Sequence, residues 1–441
     1  MRFLAAIFFL LVSVAASAQF RSDALAGLYD SETAASMKES VGFLASASLE
    51  GRAAGSEGEK EAAEYVSAAF EEAGLDLLYP KSGDIFGVRQ ESGDTLCSRN
   101  VAAFIPGYDK ALKEKYIMIY ARLDNLGTRT VSVDGTDVTS VLNGANGNAS
   151  GLALLIELAK RLQTNSVLLK RSVILAAFGA SLPDCAGAWY FLNRSFKGTP
   201  DIDAAIELET LGIPSGGFYA YTASNADLNA GIVSLSSTLQ PVKPEIVAAE
   251  PCPGNHRMFY DAKIPVTMFT TGMYPEYNTP RDTPSILEYD GMERVLEYLY
   301  NYTVALACAD APEFNPSEKA SESYMAGRTE AVPYYECDTR PSFFGSTDPA
   351  IFLTRWVYVY MKYPRAAVEQ GIQGRVLVDF IIDAKGRVTQ VKALRSSHPL
   401  LEEEALRVVK ASPDWKPGRI KGKKVPARIT LNVEFRLEKK K

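Results

Sequence analysis

Two histidines, His256 and His398, are all that the 441 residues contain. Imidazole is the side chain best suited to proton transfer near neutral pH and a frequent metal ligand, so its scarcity narrows the chemistry at once. Around His256 the candidate partners are the thiol of Cys185 and the carboxylates of Asp124 and Glu209. Two arrangements make chemical sense. Asp124, Glu209, His256 and Cys185 are ligand types for a single metal ion, and Cys185 with His256 has the types of a nucleophile and its base. No spacing joins these residues into either motif. Each also has an ordinary reading as a hydrogen-bonded or buried side chain.

The elements that must carry these residues alternate between helix and strand from about Asp30 to Ala309, which is the rhythm of an α/β domain. Amphipathic periodicity predicts helices over Thr33–Leu44, Glu57–Ala73, Ala149–Leu162, Asn225–Leu239 and Met292–Ala307. Short apolar runs predict strands over Asn100–Ile105, Tyr116–Ala121, Ser172–Phe178, Ala204–Leu208, Phe218–Thr222 and Pro265–Phe269. A mixed sheet covered by helices on both faces follows. Pro312, Pro316, Pro333, Pro341 and Pro349, among Ser, Glu and Lys, give residues 311–349 the composition of a linker. Beyond it the pattern reads helix (Phe352–Lys362), strands (Gly374–Ile382 and Arg387–Leu394), helix (Leu400–Ser412) and strand (Val425–Arg436), a small αββαβ module.

Hydrophobic content of 47% and charged content of 23% are those of a folded globular chain, and they exclude a collagen-like, disordered or disulfide-scaffold protein. Residues 350–441 hold 20 Lys and Arg against 9 Asp and Glu, while the whole chain carries a net charge of −6. The front is therefore strongly acidic, which argues against nucleic acid as its main ligand. Met1-Arg2, the apolar run Phe3–Ala16 and Ala16-Ser17-Ala18 have the three regions of a cleavable signal peptide spanning residues 1–18. The run is too short for a transmembrane helix, no Cys follows for lipid attachment, and no later stretch reaches membrane length. Export would expose Cys97, Cys185, Cys252, Cys308 and Cys337 to oxidation, but their wide spacing suits mostly buried, unpaired thiols.

Seven blocks in order resemble the secreted di-zinc aminopeptidases, the family that includes the glutaminyl cyclases. They are Leu44–Tyr65, Tyr120-Ala-Arg-Leu-Asp-Asn-Leu-Gly127, Gly144-Ala-Asn-Gly-Asn-Ala-Ser-Gly151, Phe178–Tyr190, Glu207-Leu-Glu-Thr-Leu-Gly212, and Asn255-His-Arg-Met-Phe259 with Tyr277-Asn-Thr-Pro-Arg-Asp-Thr283. The resemblance implies a zinc exopeptidase-like fold over residues 19–310. It also locates the positions of two zinc ions and a general base, and the residues standing there depart from the pattern. The first His is Arg122, the bridging Asp is Gly147, the Glu pair is Ser181-Leu182, the next Asp is Glu209 and the last His is Asn278. Asp124, which in the family orients the first His, is retained. The expectation is a degenerate site with no catalytic residue, no bound metal and no cofactor; zinc enters only under the alternative of an active aminopeptidase or cyclase with an atypical site. Arg122 and Asp124, two apart at a strand end, share a face. A salt bridge from Arg122 to Asp124 or Glu209, standing where zinc would be, is therefore expected.

Residues 350–441 resemble the C-terminal domain of TonB, through Tyr363-Pro-Arg-Ala-Ala-Val-Glu-Gln-Gly-Ile-Gln-Gly-Arg-Val-Leu-Val-Asp-Phe380, Asp383-Ala-Lys-Gly-Arg-Val388 and Trp415-Lys-Pro-Gly418. Such a domain implies recruitment of periplasmic or outer-membrane proteins by strand addition. The last strand, with Ile429, Leu431, Val433 and Phe435 alternating, is expected to offer an exposed edge to a partner. A transducer would need a membrane helix where this chain has a cleavable signal. The expected product is a periplasmic or secreted pseudopeptidase with a binding module, two structurally independent domains, and at most a peptide in the degenerate cleft.

Overall fold

The structure is a computed structural model that describes residues 31–89, 94–133, 136–182, 185–316, 331–334 and 337–437. The expected signal peptide and residues 317–330 of the expected linker lie outside them. No helix among the described residues is long and apolar enough to cross a membrane.

The large sheet has nine strands: β1 (Asp76–Leu77), β2 (Asp84–Arg89), β3 (Thr95–Ile105), β4 (Tyr116–Arg122), β7 (Ser172–Phe178), β8 (Ile202–Glu209), β9 (Tyr219–Tyr221), β10 (Glu245–Val247) and β11 (Val266–Thr270). Between β4 and β7 in the chain, β5 (Thr128–Val133) and β6 (Thr136–Val141) form a separate hairpin that the apolar pattern does not reveal. The order is β1-β3-β7-β4-β8-β11-β9-β10, with β2 added on β3. Its centre, β7-β4-β8-β11, is parallel, so the carboxyl ends of all four strands emerge on one side. Parallel strands are covered on both faces and need apolar residues at every position, and every residue of β7 is buried. Helices Glu32–Leu44, Glu57–Glu72, Ser150–Thr164 and Tyr289–Cys308 help to cover one face, burying Met37, Val66, Phe70, Leu155 and Tyr298. Tyr120, Phe178, Phe191 and Phe259 cluster on the other face. Two of these helices, and the helix Ala226–Ser236, start where the sequence supplies a cap: Ser31 accepts from Ala34 N–H, Ser56 from Glu59 N–H, and Asn225 from Leu228 N–H.

The small sheet has the order β12-β17-β13-β14, with β12 (Val332–Pro333), β13 (Gly374–Ile382), β14 (Val388–Ser396) and β17 (Ala427–Phe435). A hairpin of β15 (Gly418–Ile420) and β16 (Lys423–Val425) precedes β17. Helix Pro399–Lys410 supplies Leu401, Val408 and Val409 to a core that also holds Val376, Phe380 and Trp415. Residues 331–334 and 337–349, within the stretch of linker composition, lie against this unit. Val332 and Pro333 pair with β17, and Phe343 is in its core. Proline content alone gives no sign of this, since Phe343 is the apolar anchor that a composition average hides.

Two expectations need correction. Of the five cysteines, Cys252 and Cys337 are buried, but Cys97 is exposed and Cys185 and Cys308 are intermediate. The domains are not separate bodies on a tether. Leu377, Asp379 and Ile381 project from the face of the small sheet opposite its core, yet all three are buried. Leu377 and Asp379 share cavity walls with the Met273–Tyr277 loop of the large domain.

Candidate functional site

Ligand sites in open α/β sheets gather at the carboxyl ends of parallel strands, because the loops there converge. Arg122 ends β4, Ser181 and Leu182 follow β7, Glu209 ends β8, and Asn278 lies in the loop after β11. The fold thus brings the degenerate positions to one end of the sheet.

Arg122 and Glu209 are 3% and 1% exposed, and Arg122 Nη2 donates to Glu209 Oε1 at 2.8 Å. The expected salt bridge is formed with Glu209. Toward Asp124 the guanidinium reaches only the backbone carbonyl, at 3.5 Å. Asp124 instead accepts from the N–H groups of Ser181 (2.8 Å) and Leu182 (3.2 Å), tying β4 to the loop after β7. Burial pushes the carboxyls of Asp124 and Glu209 up, and Glu209 reaches about 7 despite Arg122 pulling the other way. Glu209 Oε2 has no hydrogen-bond partner.

The bridging position has been filled from above. A Cβ on Gly147 would stand 3.0 Å from both Tyr274 Oη and Tyr277 Cε2. Gly147 N–H donates to Asp282 Oδ2 at 3.1 Å, Asn146 N–H to Oδ1 at 2.8 Å, and Tyr274 O–H to Oδ2 at 2.6 Å. Ser181 Oγ donates to Phe178 C=O and accepts from Asn255 Nδ2. Leu182 offers no ligand atom. Asn278, buried and at φ 55°, leaves its Nδ2 unpartnered.

A zinc pair does not fit these residues. A guanidinium is cationic and cannot ligate, the glycine and leucine have no ligating atom, and the tyrosine rings occupy the room of a bridging carboxylate. Among the described residues no three His, Cys, Asp or Glu side chains converge to hold a metal ion.

The proposed chemistry around His256 separates into pieces. His256 caps a different carboxylate of β8: Nδ1 lies 3.0 Å from Glu207 Oε2, and Nε2 is 3.1 Å from Glu250 Oε1. Glu207 also accepts from the N–H groups of Asn255 and His256. Although burial alone lowers its pKa, the two glutamates raise His256 to about 9. Against the upward push of its own burial, His256 and the two contacts from Arg257 bring Glu250 down to about 2. Cys185 Sγ meets Gly254 C=O at 3.5 Å. With carboxylates 3.0 and 3.1 Å from its two ring nitrogens, His256 is held toward its charged form and is a poor base for a thiol.

Two buried residues of this end went unread in the sequence. Arg52, fully buried, donates to the carbonyls of Leu44, Asn143 (3.0 Å), Gly144 (3.1 Å) and Leu123 (3.3 Å); burial and the nearby Arg122 lower its pKa to about 10. Asp282 is the other. Both stand inside the blocks of resemblance, Leu44–Tyr65 and Tyr277–Thr283, and that was their only signal.

The four strand-addition positions do not face the free edge. Ile429, Leu431, Val433 and Phe435 have their side chains in the small core, and the alternation of the antiparallel ladder turns their backbone groups toward β13, so that Thr430, Asn432 and Glu434 face the other edge, with Glu434 N–H donating to Tyr358 Oη at 3.3 Å. β13 pairs along the whole of β17, whereas β12 covers just Ala427 and Arg428 on the other side.

Comparison with known proteins adds the following. Residues 100–303 match Peptidase family M28, and residues 359–437 match the Gram-negative bacterial TonB protein C-terminal family. LapA of Legionella pneumophila has a similar fold, with a TM-score of 0.50, 16% identity, and coverage of 63% of this chain and 73% of that one. LapB of the same organism gives 0.49, 18%, 63% and 72%. The aminopeptidase from Aneurinibacillus sp. strain AM-1 gives 0.49, 16%, 64% and 96%. No curated protein matches. At these identities the likeness concerns the fold of the large domain, a mixed α/β sheet of zinc exopeptidase type; the TonB-type unit rests on the family match at residues 359–437.

Proposed function

We propose that the chain is a non-catalytic, aminopeptidase-like protein of the cell envelope, exported by a signal peptide at residues 1–18. Residues 19–310 form the degenerate α/β domain, 311–349 the connection, and 350–441 a TonB-type domain that binds periplasmic or outer-membrane proteins. The observation that carries the reading is the buried ion pair Arg122–Glu209 at the place of the metal centre. Amide hydrolysis needs an activated water and a stabilised oxyanion, and Ser181, Leu182 and Asn278 supply neither a general base nor a metal-bound water. The binding role is supported by the match of residues 359–437 and by the edge of β17, beside which no strand lies beyond Arg428 among the described residues, although Tyr358 Oη takes the Glu434 N–H; an added strand there gains backbone hydrogen bonds.

The test is an assay of the full chain with aminoacyl-nitroanilides, with and without added zinc. No turnover above the uncatalysed rate is expected. Hydrolysis that a chelator abolishes would overturn the reading in favour of an active enzyme.

A further inference from the structure

Between the Met273–Tyr277 loop and the outer face of the small sheet lies a cavity of about 140 Å³ with an open mouth, room for a ring or a short apolar chain. Its two walls differ in chemistry. The large domain contributes Tyr274, Tyr277 and Met273, apolar surface with aromatic faces; the small sheet contributes Asp379, Lys392, Leu394 and Arg428.

Charge decides what fits. Among the described lining residues there are three cations, Arg257, Lys392 and Arg428, against two carboxylates, Glu250 and Asp379. Glu250 is fully engaged by Arg257 and lies against His256. Asp379, buried, accepts from Thr430 O–H at 3.0 Å. Lys392 Nζ and Arg428 Nε both lie 3.8 Å from the same oxygen, Asp379 Oδ2. That separation is an ion-pair contact but too long for a hydrogen bond. Two cations therefore share one carboxylate, leaving a surplus positive charge whose donors are not committed to it. An anionic group entering beside Asp379 gains charge-assisted hydrogen bonds without displacing any existing one. The aromatic wall opposite is suited to an apolar body.

We propose that this cavity binds an apolar or aromatic carboxylate, of the kind presented by the free carboxyl end of a peptide, with Lys392 and Arg428 holding the carboxylate and Tyr274 and Tyr277 the apolar part. The site goes beyond the proposed function: it is assembled from both domains and owes nothing to whether the degenerate centre hydrolyses anything. It also gives the docking of the small sheet a consequence, since a ligand there bridges the two domains.

The experiment is calorimetric titration of the full chain at low salt with N-acetyl-L-phenylalanine, N-acetyl-L-phenylalaninamide and acetate. The acid is expected to bind with a Kd on the order of 1 mM or tighter, and the amide and acetate at least ~10-fold more weakly. Lys392→Gln with Arg428→Gln should weaken the acid ~10-fold, and Leu394→Glu, which sets an acid on the cavity wall, should do the same. Arg365→Gln, distant on the same domain, should change nothing. Equal binding of acid and amide, undiminished binding in both the Lys392/Arg428 and Leu394 variants, or no binding of the acid at 10-fold above the expected Kd would each overturn the proposal. None of these results bears on the nitroanilide assay, so the two readings fail separately.

Discussion

Glu207 and Glu209 sit two apart on β8, on one face of one strand, and both are buried. Their partners differ. Glu209 is held by Arg122, a neighbour in the sheet that is cationic at any accessible pH. Glu207 is held by His256, from a helix beyond the sheet, and by two backbone N–H groups. The first arrangement leaves a carboxylate oxygen without a partner, and the second distributes its charge over several donors. A buried ion pair is costly to break because removal of one partner strands the other charge. A backbone-anchored carboxylate has other donors in reserve.

The largest expected effect follows from this difference. Arg122→Leu should destabilise the protein by ~3–5 kcal/mol, since it strands Glu209 in the interior, where the carboxyl must either stay charged without its partner or take up a proton. The double change Arg122→Leu with Glu209→Leu should recover most of that loss. Urea midpoints measure both, and a single mutant within ~1 kcal/mol of wild type breaks the comparison.

The His256 arm is the pH-dependent one. Its folded pKa is raised from the ordinary 6.5 to about 9, so its contribution is fully present below pH 6.5 and is lost as pH rises through 9. The loss amounts to roughly 3 kcal/mol at most, at 1.36 kcal/mol per unit. Denaturation of wild type and His256→Gln at pH 6.5 and pH 9.5 should show the gap between the two proteins closing at the higher pH. A gap that does not change with pH removes the assigned charge from His256.

A smaller effect tests the tyrosine plug. Gly147→Ala brings a methyl group to 3.0 Å from Tyr274 and Tyr277, an overpacking expected to cost ~1–3 kcal/mol. A neutral or stabilising result in a thermal melt means the rings yield readily. Smallest is the exposed pair Arg365–Glu369, at 2.9 Å with side chains 93% and 62% exposed. Arg365→Ala should leave the midpoint unchanged, because a solvated ion pair exchanges one set of partners for another.

The strands β4, β7, β8 and β13 were legible as apolar runs, and β17 as an alternating one, because burial of two faces or of one leaves those two patterns. The hairpin β5–β6 was not: Thr128–Val133 and Thr136–Val141 mix Thr, Ser and Asp with Val, and neither pattern emerges. For the site, the types at 122, 147, 182 and 278 told from sequence that metal ligands are missing, and the same-face spacing of Arg122 and Asp124 suggested a salt bridge for Arg122.

Which acid Arg122 takes was a tertiary decision. Asp124 is nearer in the chain, but its two oxygens are claimed by the N–H groups of the loop after β7, and the parallel register of β4 against β8 puts Glu209 within reach. The same holds for His256, whose ring is held toward its charged form by Glu207 from the sheet and Glu250 from a loop. Residue type sets which charges exist, and local period sets which face they leave from. Only the packing of strands far apart in sequence decides which opposite charge is closest once water is gone, and in a low-dielectric interior that choice governs the energy.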